Sequence, residues 1–392
     1  MPLLSIVVPT RNRQLTALTL IRVVLERIPD CQVIVTDNSD DSTLRELLRE
    51  WMEDQRLIYR YYAEQLSVVE NFNRAIEFAE GEYICLLGDD DMIGPGICEV
   101  VEWAKKNSID AVSYRSKGRE LHYFWPGVTH KYWGEMGGKL LFSHFTGEVE
   151  RLNVKETSLD AVLHLGSGPR QMPRVYLGLI SKELLAKVRE RYGNLFGGFS
   201  PDVYSSQLLS GVCENAAVVD YPMIIPGGSP KSTSATRAKR ADVGELTAND
   251  HLGRFDSVVW DARIPRYYSP FTVWAQTHIN ALMTTGSLIP SRAFAHLYAV
   301  CILFTPKHYR EVFTSITSNG SVAREISMVV LTGVKLFQVT VRYVMQKMPL
   351  LVRRRPSAAA YQEVGIPDTE AALDRLTNVL SSRGMNLRLK QI

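Results

Sequence analysis

A chain of 392 residues with 45% hydrophobic and 22% charged residues can bury a large core, and its net charge of +3 is too small to imply nucleic acid. Cys31, Cys85, Cys98, Cys213 and Cys301 are odd in number and far apart, with no Cys-x-x-Cys pair, so neither a disulfide framework nor a zinc site is indicated. Met1-Pro-Leu-Leu leads straight into a strand pattern without the marks of a signal peptide, and the expectation is a cytoplasmic catalytic part.

Leu3 to Val8 reads as a buried strand stopping at Pro9, and Gln14 to Glu26 has helical apolar spacing. Val33 to Val35 forms a second strand that opens into Thr36-Asp-Asn-Ser-Asp-Asp-Ser-Thr43, where Ser42 can cap a helix reaching Trp51. Leu57 to Tyr62 is a third strand, Val68 to Ala79 a helix, Tyr83 to Leu87 a fourth strand, Gly96 to Lys106 a helix and Ala111 to Tyr114 a fifth strand. Alternating β and α with short connections predicts a mostly parallel sheet flanked by helices, with ligands beyond the carboxyl ends of its strands. Thr10 to Arg13, Asp37 and the triplet Asp89, Asp90, Asp91 all fall there. Three adjacent acids repel unless solvated or facing a cation, and Mg2+ or Mn2+ takes oxygen ligands from one or two carboxylates plus a phosphate. The same stretch also fits a solvated acidic turn before the next helix.

Ser5-Ile-Val-Val-Pro-Thr-Arg-Asn-Arg13, Val33-Ile-Val-Thr-Asp-Asn-Ser-Asp-Asp-Ser-Thr43, Asn71-Phe-Asn-Arg-Ala75 and Ala79-Glu-Gly-Glu-Tyr-Ile-Cys-Leu-Leu-Gly-Asp-Asp-Asp91 together resemble the ordered signature of family 2 glycosyltransferases. That resemblance covers roughly the first 115 residues and implies an α/β GT-A fold, Rossmann-like with a mostly parallel sheet. It also implies an enzyme that inverts anomeric configuration with Mn2+ or Mg2+, using a nucleotide-diphosphate sugar as donor. Carried over by position, Pro9, Thr10 and Arg11 line the nucleotide pocket, Asp37 accepts hydrogen bonds from base or ribose, and Asn71 borders the cleft; Arg11 and Arg13, at a strand end beside the expected diphosphate, read as anion binders rather than ordinary surface charges. Many relatives read Leu-Asp-x-Asp-Asp, whereas Gly88 stands here where the first acid would be. The metal ligand is then Asp90 or Asp91, and Asp89 faces ribose or water.

Beyond Tyr114, the aromatic segments around Trp125 and Trp133 border the cleft either as an acceptor platform or as a small satellite core. Arg174 to Ile180 reads as a strand and Lys182 to Tyr192 as a helix. Ser200-Pro-Asp-Val then begins another helix, with Ser200 at the cap and Asp202 in the first turn, where a carboxylate is favoured in any case. Family 2 enzymes carry their catalytic base at about this point, usually in an acidic pair, which makes Asp202 the candidate base. Ala216 to Val219 and Tyr221 to Ile225 are predicted closing strands.

Residues 231–254 read as a flexible basic loop whose Lys231, Arg237, Lys239 and Arg240 either close over a diphosphate or are simply solvated. His251 lies just beyond them; some relatives use a histidine as a further metal ligand. The division drawn from sequence is a catalytic domain over 1–230, this loop, and a mainly helical C-terminal region over 255–392. Helices are predicted over Thr272 to Met283, Arg292 to Leu303, Tyr309 to Ile316, Ile326 to Met348 and a short tail segment from Asp368 to Ser382. Residues 326–355 carry bases but no acid, interrupted too often by charge for a clean span of about 20 residues. They suit either an amphipathic segment on an anionic membrane surface at the inner face of the cell membrane or a helix packed on the catalytic domain with a solvated basic end.

The expectation is a transferase that moves a sugar to a hydroxyl of a glycan or lipid-linked saccharide in cell-surface polysaccharide synthesis. Rival readings are a decayed nucleotide-sugar-binding assembly subunit and a metal-dependent nucleotidyltransferase; the loop Pro9 to Arg13 lacks the glycine-rich phosphate fingerprint the latter would favour.

Overall fold

The computed structural model describes residues 1–114, 120–232, 243–246, 259–317, 321–353 and 361–392. Strand β1 (Leu4–Thr10) is buried along its whole length. Its side chains alternate between two cores: Ile6 and Val8 enter one with Leu20, Ile21 and Val24, while Val7 enters the other with Ile34, Ala75 and Ile84. A strand buried on both faces needs a continuous apolar run, which Ile-Val-Val supplies. The strand does not stop at Pro9; it continues through Pro9 opposite Thr36 and Thr10 opposite Asp37, because the missing N–H falls near the strand's end, where it costs little ladder.

β1 is followed by α1 (Gln14–Arg27), β2 (Cys31–Asp37), a short α2 (Thr43–Leu47), β3 (Leu57–Tyr61), α3 (Val68–Glu77) and β4 (Tyr83–Leu86). β1 pairs in parallel with β2 on one side and β4 on the other, and β2 pairs in parallel with β3. The chain therefore leaves β1 in one direction and returns on its other flank, which makes the β1–β4 boundary a topological switch point. Open α/β sheets bind ligands outside such a point. Beyond β4 the eight-stranded sheet continues through Gly178–Ser181, Ala111–Tyr114, Ala216–Val219 and Val149–Leu152. Gly178–Ser181 is antiparallel to both its neighbours, so the sheet is mixed on this side.

Local signals mostly hold at the element ends. Ser67 and Glu70 form a reciprocal capping box on α3. Ser42 occupies the cap position of α2, but Asp41 Oδ1 accepts the hydrogen bond from Thr43 N instead. Trp133 belongs to a satellite cluster with Val128, Met136 and Leu141, and Trp125 packs on the main core, its Nε1 donating to the Asp90 carbonyl.

The helices Pro270–Thr284, Ser291–Phe304 and Tyr309–Thr317 bury a third core around Ile279, Phe294, Leu297 and Tyr298. The helix Val322–Arg353 then runs 32 residues, about 48 Å. Between Val322 and Gln346 it is long and apolar enough to cross a membrane by length and composition, with a mean hydropathy of 1.4 in spite of its charges. The tail returns to the first domain. Tyr361–Glu363 pairs antiparallel with Lys139–Phe142, and the helix Thr369–Ser382 buries Leu373 and Leu376 in the main core while Glu370 and Asp374 pair with Arg22 and Arg27 of α1.

Candidate active site

The loop after β1 and the turn after β4 emerge side by side at the switch point. Between them, α3 and Lys231 lies a cavity of about 420 Å³ lined by Pro9, Thr10, Arg11, Asn12, Arg13, Asn38, Asn71, Phe72, Gly88, Asp89, Asp90, Tyr176 and Lys231, among others. Most of the residues expected to hold the donor thus meet in one place. The Thr10 hydroxyl donates to Asp89 Oδ2 at 2.7 Å, and the Arg13 guanidinium donates to Asp89 Oδ1 at 2.9 Å and lies 3.7 Å from Asp90. Burial works against the charge on Arg13, but Asp89 and Asp90 hold it protonated. Arg13 also donates to the Lys231 carbonyl, and Lys231 Nζ reaches the Asn12 carbonyl at 3.4 Å. Arg11 stays exposed, 3.7 Å from Asp40.

The three aspartates are held differently, although all are buried. Burial pushes the Asp89 carboxyl up to about 6 against the pull of Arg13. Asp91 receives backbone N–H groups on both oxygens, Gly88 at 2.8 Å and Gly227 at 2.7 Å. Burial, then the neighbouring Asp90, pushes its carboxyl well above the usual range. Asp90 Oδ2 accepts from Ser229 N at 2.9 Å, while its Oδ1 takes no hydrogen bond among the described residues. Among those residues no group of three or more His, Cys, Asp or Glu is spaced to hold a metal by itself. A hard divalent ion needs no such cage, because it keeps waters and phosphate oxygens as ligands and takes one or two carboxylates. Asp90 fits that role; Asp91 is spent on the backbone and does not line the cavity.

Asp37 is also set back from the cavity. It is wholly buried, with Oδ1 accepting from Ser39 N and Oδ2 from the Tyr59 hydroxyl at 2.7 Å, so it does not face a base or ribose in this arrangement. The wall at that point is Asn38, which donates to the Tyr62 and Glu64 carbonyls and accepts from Leu66 N. Asn71 donates to the Thr10 and Thr36 carbonyls at 3.5 and 3.3 Å, and its buried Oδ1 has no partner among the described residues. A buried orphan acceptor at a cavity wall is a ready place for a ligand donor.

Asp202 sits at the second position of the helix Pro201–Ser210. Ser200 does not cap that helix; its hydroxyl donates to Asp202 Oδ1 at 2.5 Å. Thr277 Oγ1 accepts from the backbone N–H of both Phe199 and Ser200, at 3.1 Å each, and fixes the turn from which Asp202 projects. Asp202 is not part of the cavity wall. The Tyr176 hydroxyl, which lines the cavity, is pushed well above the phenol range by burial and then by Asp91, Asp90, Asp202 and Asp89. Arg237, Lys239, Arg240 and His251 lie outside the described residues.

Sequence reasoning passed over Asn38, Tyr176 and Thr277. Asn38 lay inside a quoted motif, and Tyr176 and Thr277 lay inside apolar runs where nothing marks one hydroxyl as special.

A mixed α/β sheet with acids and arginines facing one another at its switch point defines a domain built to hold an anionic ligand beyond its strand ends. Residues 5–157 match the family described as Glycosyl transferase family 2, so this part of the chain is a family 2 glycosyltransferase domain. Among solved structures, S. aureus TarS 1–349 in complex with UDP-GlcNAc is similar at a TM-score of 0.44 and 14% identity, covering 80% of this chain and 90% of that one. Mannosyltransferase PcManGT from Pyrobaculum calidifontis in complex with GDP-Man and Mn2+ is similar at a TM-score of 0.42 and 14% identity, covering 89% and 85%. No curated protein matches the sequence.

Proposed function

We propose that the protein is a metal-dependent inverting glycosyltransferase that moves a sugar from a nucleotide-diphosphate donor to a hydroxyl of a glycan or lipid-linked saccharide, in cell-surface polysaccharide synthesis. The observation that carries this reading is the switch-point cavity, where Asp89 and Asp90 stand opposite Arg11, Arg13 and Lys231. Bases and acids facing across one cavity suit a diphosphate that arrives with a divalent cation.

Asp90 would hold Mn2+ or Mg2+, which when bound supplies Lewis-acid stabilisation of the departing diphosphate. Arg13, already braced by Asp89, and Lys231 place positive charge on the same group, and Arg11 adds more at the rim. Asn71 Oδ1 offers an acceptor to the nucleoside, while Asp37 shapes the nucleotide pocket from behind through Ser39 and Tyr59. Asp202 takes the proton of the acceptor hydroxyl as that oxygen attacks the anomeric carbon from the side opposite the diphosphate, and a single inversion follows. Ser200 occupies one Asp202 oxygen and leaves the other for that proton.

The test is Asp202→Asn, assayed against a panel of nucleotide sugars with Mn2+. Turnover should fall roughly a hundredfold to ten-thousandfold, the worth of a positioned general base, with melting temperature and nucleoside-diphosphate affinity preserved. A lower melting temperature with unchanged turnover per folded molecule would reduce Asp202 to a helix-start residue.

A further inference from the structure

Gly88 departs from the Leu-Asp-x-Asp-Asp pattern of the family it resembles, and the space beside it is taken. A Cβ at position 88 would lie 2.8 Å from Asp91 Oδ2, 3.1 Å from the Tyr176 hydroxyl and 3.3 Å from Asp90 Oδ1. The Asp91 carboxylate and the phenol oxygen therefore border the place where a side chain at 88 would begin. Tyr176 is fixed there from both sides of the chain: Leu86 N donates to the Val175 carbonyl and Leu177 N to the Leu86 carbonyl, each at 3.0 Å, which locks the segment to the end of β4. Leu177 follows in the left-handed region, with φ at 55°, a conformation a leucine takes only under constraint. The ring rests near Phe72, another residue of the cavity wall, with centroids 6.4 Å apart.

The hydroxyl is placed but hardly used. Among the described residues its one hydrogen bond is a donation to Asp91 Oδ2 at 3.5 Å, the outer limit, so the hydroxyl is weakly held and its lone pairs are open to something in the cavity. It lines the same cavity as Asp90, which the proposed reading puts on the diphosphate side, and the same reading puts Asp202 on the acceptor side. Between a departing diphosphate and an attacking hydroxyl there is one group, the donor's sugar ring.

We propose that Tyr176 is a specificity-determining residue whose hydroxyl hydrogen-bonds a hydroxyl of the donor sugar, a neutral contact at the spot where the family pattern has a carboxylate. This rests on the transferase reading above. A phenol can both donate to and accept from a sugar hydroxyl, whereas a carboxylate only accepts and adds negative charge beside a diphosphate.

The experiment uses the full chain and its Tyr176→Phe variant, which keeps the ring and removes only the oxygen. Affinity for UDP and GDP with Mn2+ is measured by calorimetry, and turnover is measured with UDP-glucose, UDP-N-acetylglucosamine and GDP-mannose and with deoxy-sugar analogues of whichever donor the wild type uses. The expected result is nucleoside-diphosphate affinity within about twofold of wild type, kcat/KM for the full donor down by about tenfold, and a collapse of discrimination against one deoxy-analogue. Unchanged kcat/KM, or a parallel loss of nucleoside-diphosphate affinity and turnover, overturns the assignment while leaving the transferase reading intact. A wild type that neither binds nor turns over any nucleotide sugar overturns both.

Discussion

Asp90 and Asp91 are neighbours in sequence with different attachments. Asp91 ties the Gly88 turn to Gly227 through two backbone N–H groups, whereas Asp90 presents a free oxygen to the cavity. Asp91→Asn replaces one acceptor with a donor and leaves a buried N–H unmatched, which costs about 1–3 kcal/mol and should lower the melting temperature by several degrees. Asp90→Asn should leave melting unchanged and cut metal-supported turnover by about a hundredfold or more, since the cation's charge stabilisation is worth several kcal/mol. Paired thermal and kinetic measurements check both; equal stability loss in the two variants would refute the division. At this scale the sequence reveals which residues are polar at strand ends but not which way they turn. Asp37 reads like a site residue, and only its pairing with Ser39 and Tyr59 turns it away. Tyr176 reads like a core tyrosine, and only its contact with the space beside Gly88 brings it into the site.

The elements themselves are legible because apolar periodicity and caps are local: the helix Lys182–Tyr192 and the strand Ala216–Val219 stand at the bounds expected for them. What each element packs against is not local. The helix Pro270–Thr284 shows as an apolar pattern, but that its Thr277 and His278 brace the Asp202 helix depends on contacts made across more than 70 positions of chain. Thr277→Val should orphan the N–H groups of Phe199 and Ser200, destabilise by about 1–3 kcal/mol and lower turnover more than nucleoside-diphosphate affinity, because the base moves and the diphosphate site does not. A stability loss with turnover per folded molecule intact would contradict that coupling.

His278 gives the same layer a pH dependence. It is buried against Gln207, with Nε2 3.0 Å from Oε1, and burial pushes its pKa down to about 4 from an ordinary value near 6.5. The unfolded chain then binds the proton first, so stability is full above about pH 6.5 and falls as the pH drops toward 4, by up to about 3 kcal/mol for this one residue. Thermal unfolding of His278→Gln between pH 7 and 4.5 should show a shallower acid loss than wild type; parallel curves would mean His278 is not the proton-linked group.

At the scale of the molecule, the helix Val322–Arg353 links two faces of different chemistry. One side is inward: Met328 packs on the third core, Thr332 is buried, and the Tyr343 ring meets Phe304 edge-on at 5.3 Å. The other side carries Ile326, Val330, Val334, Phe337, Val341, Met345 and Met348, all exposed, at spacings of three or four residues. An exposed apolar stripe of this length is far more than a soluble monomer leaves bare. Little of the helix between Val322 and Gln346 is buried against protein, so the stripe is open to a membrane surface. From Ile326 to Arg355 the sequence holds six bases and no acid, which suits an anionic leaflet. Phe337→Asp and Val341→Asp should each weaken co-sedimentation with phosphatidylserine-containing vesicles by about tenfold or more, as loss of roughly 1.5–3 kcal/mol of buried side chain implies. Raising salt should weaken wild-type binding as well, since the basic residues contribute through a screened attraction. Donor hydrolysis in solution should be unchanged in both variants, because neither position lies in the cavity wall. Vesicle binding that survives both substitutions, or wild-type protein that self-associates through the stripe and ignores vesicles, would move this face from a lipid surface to a protein one.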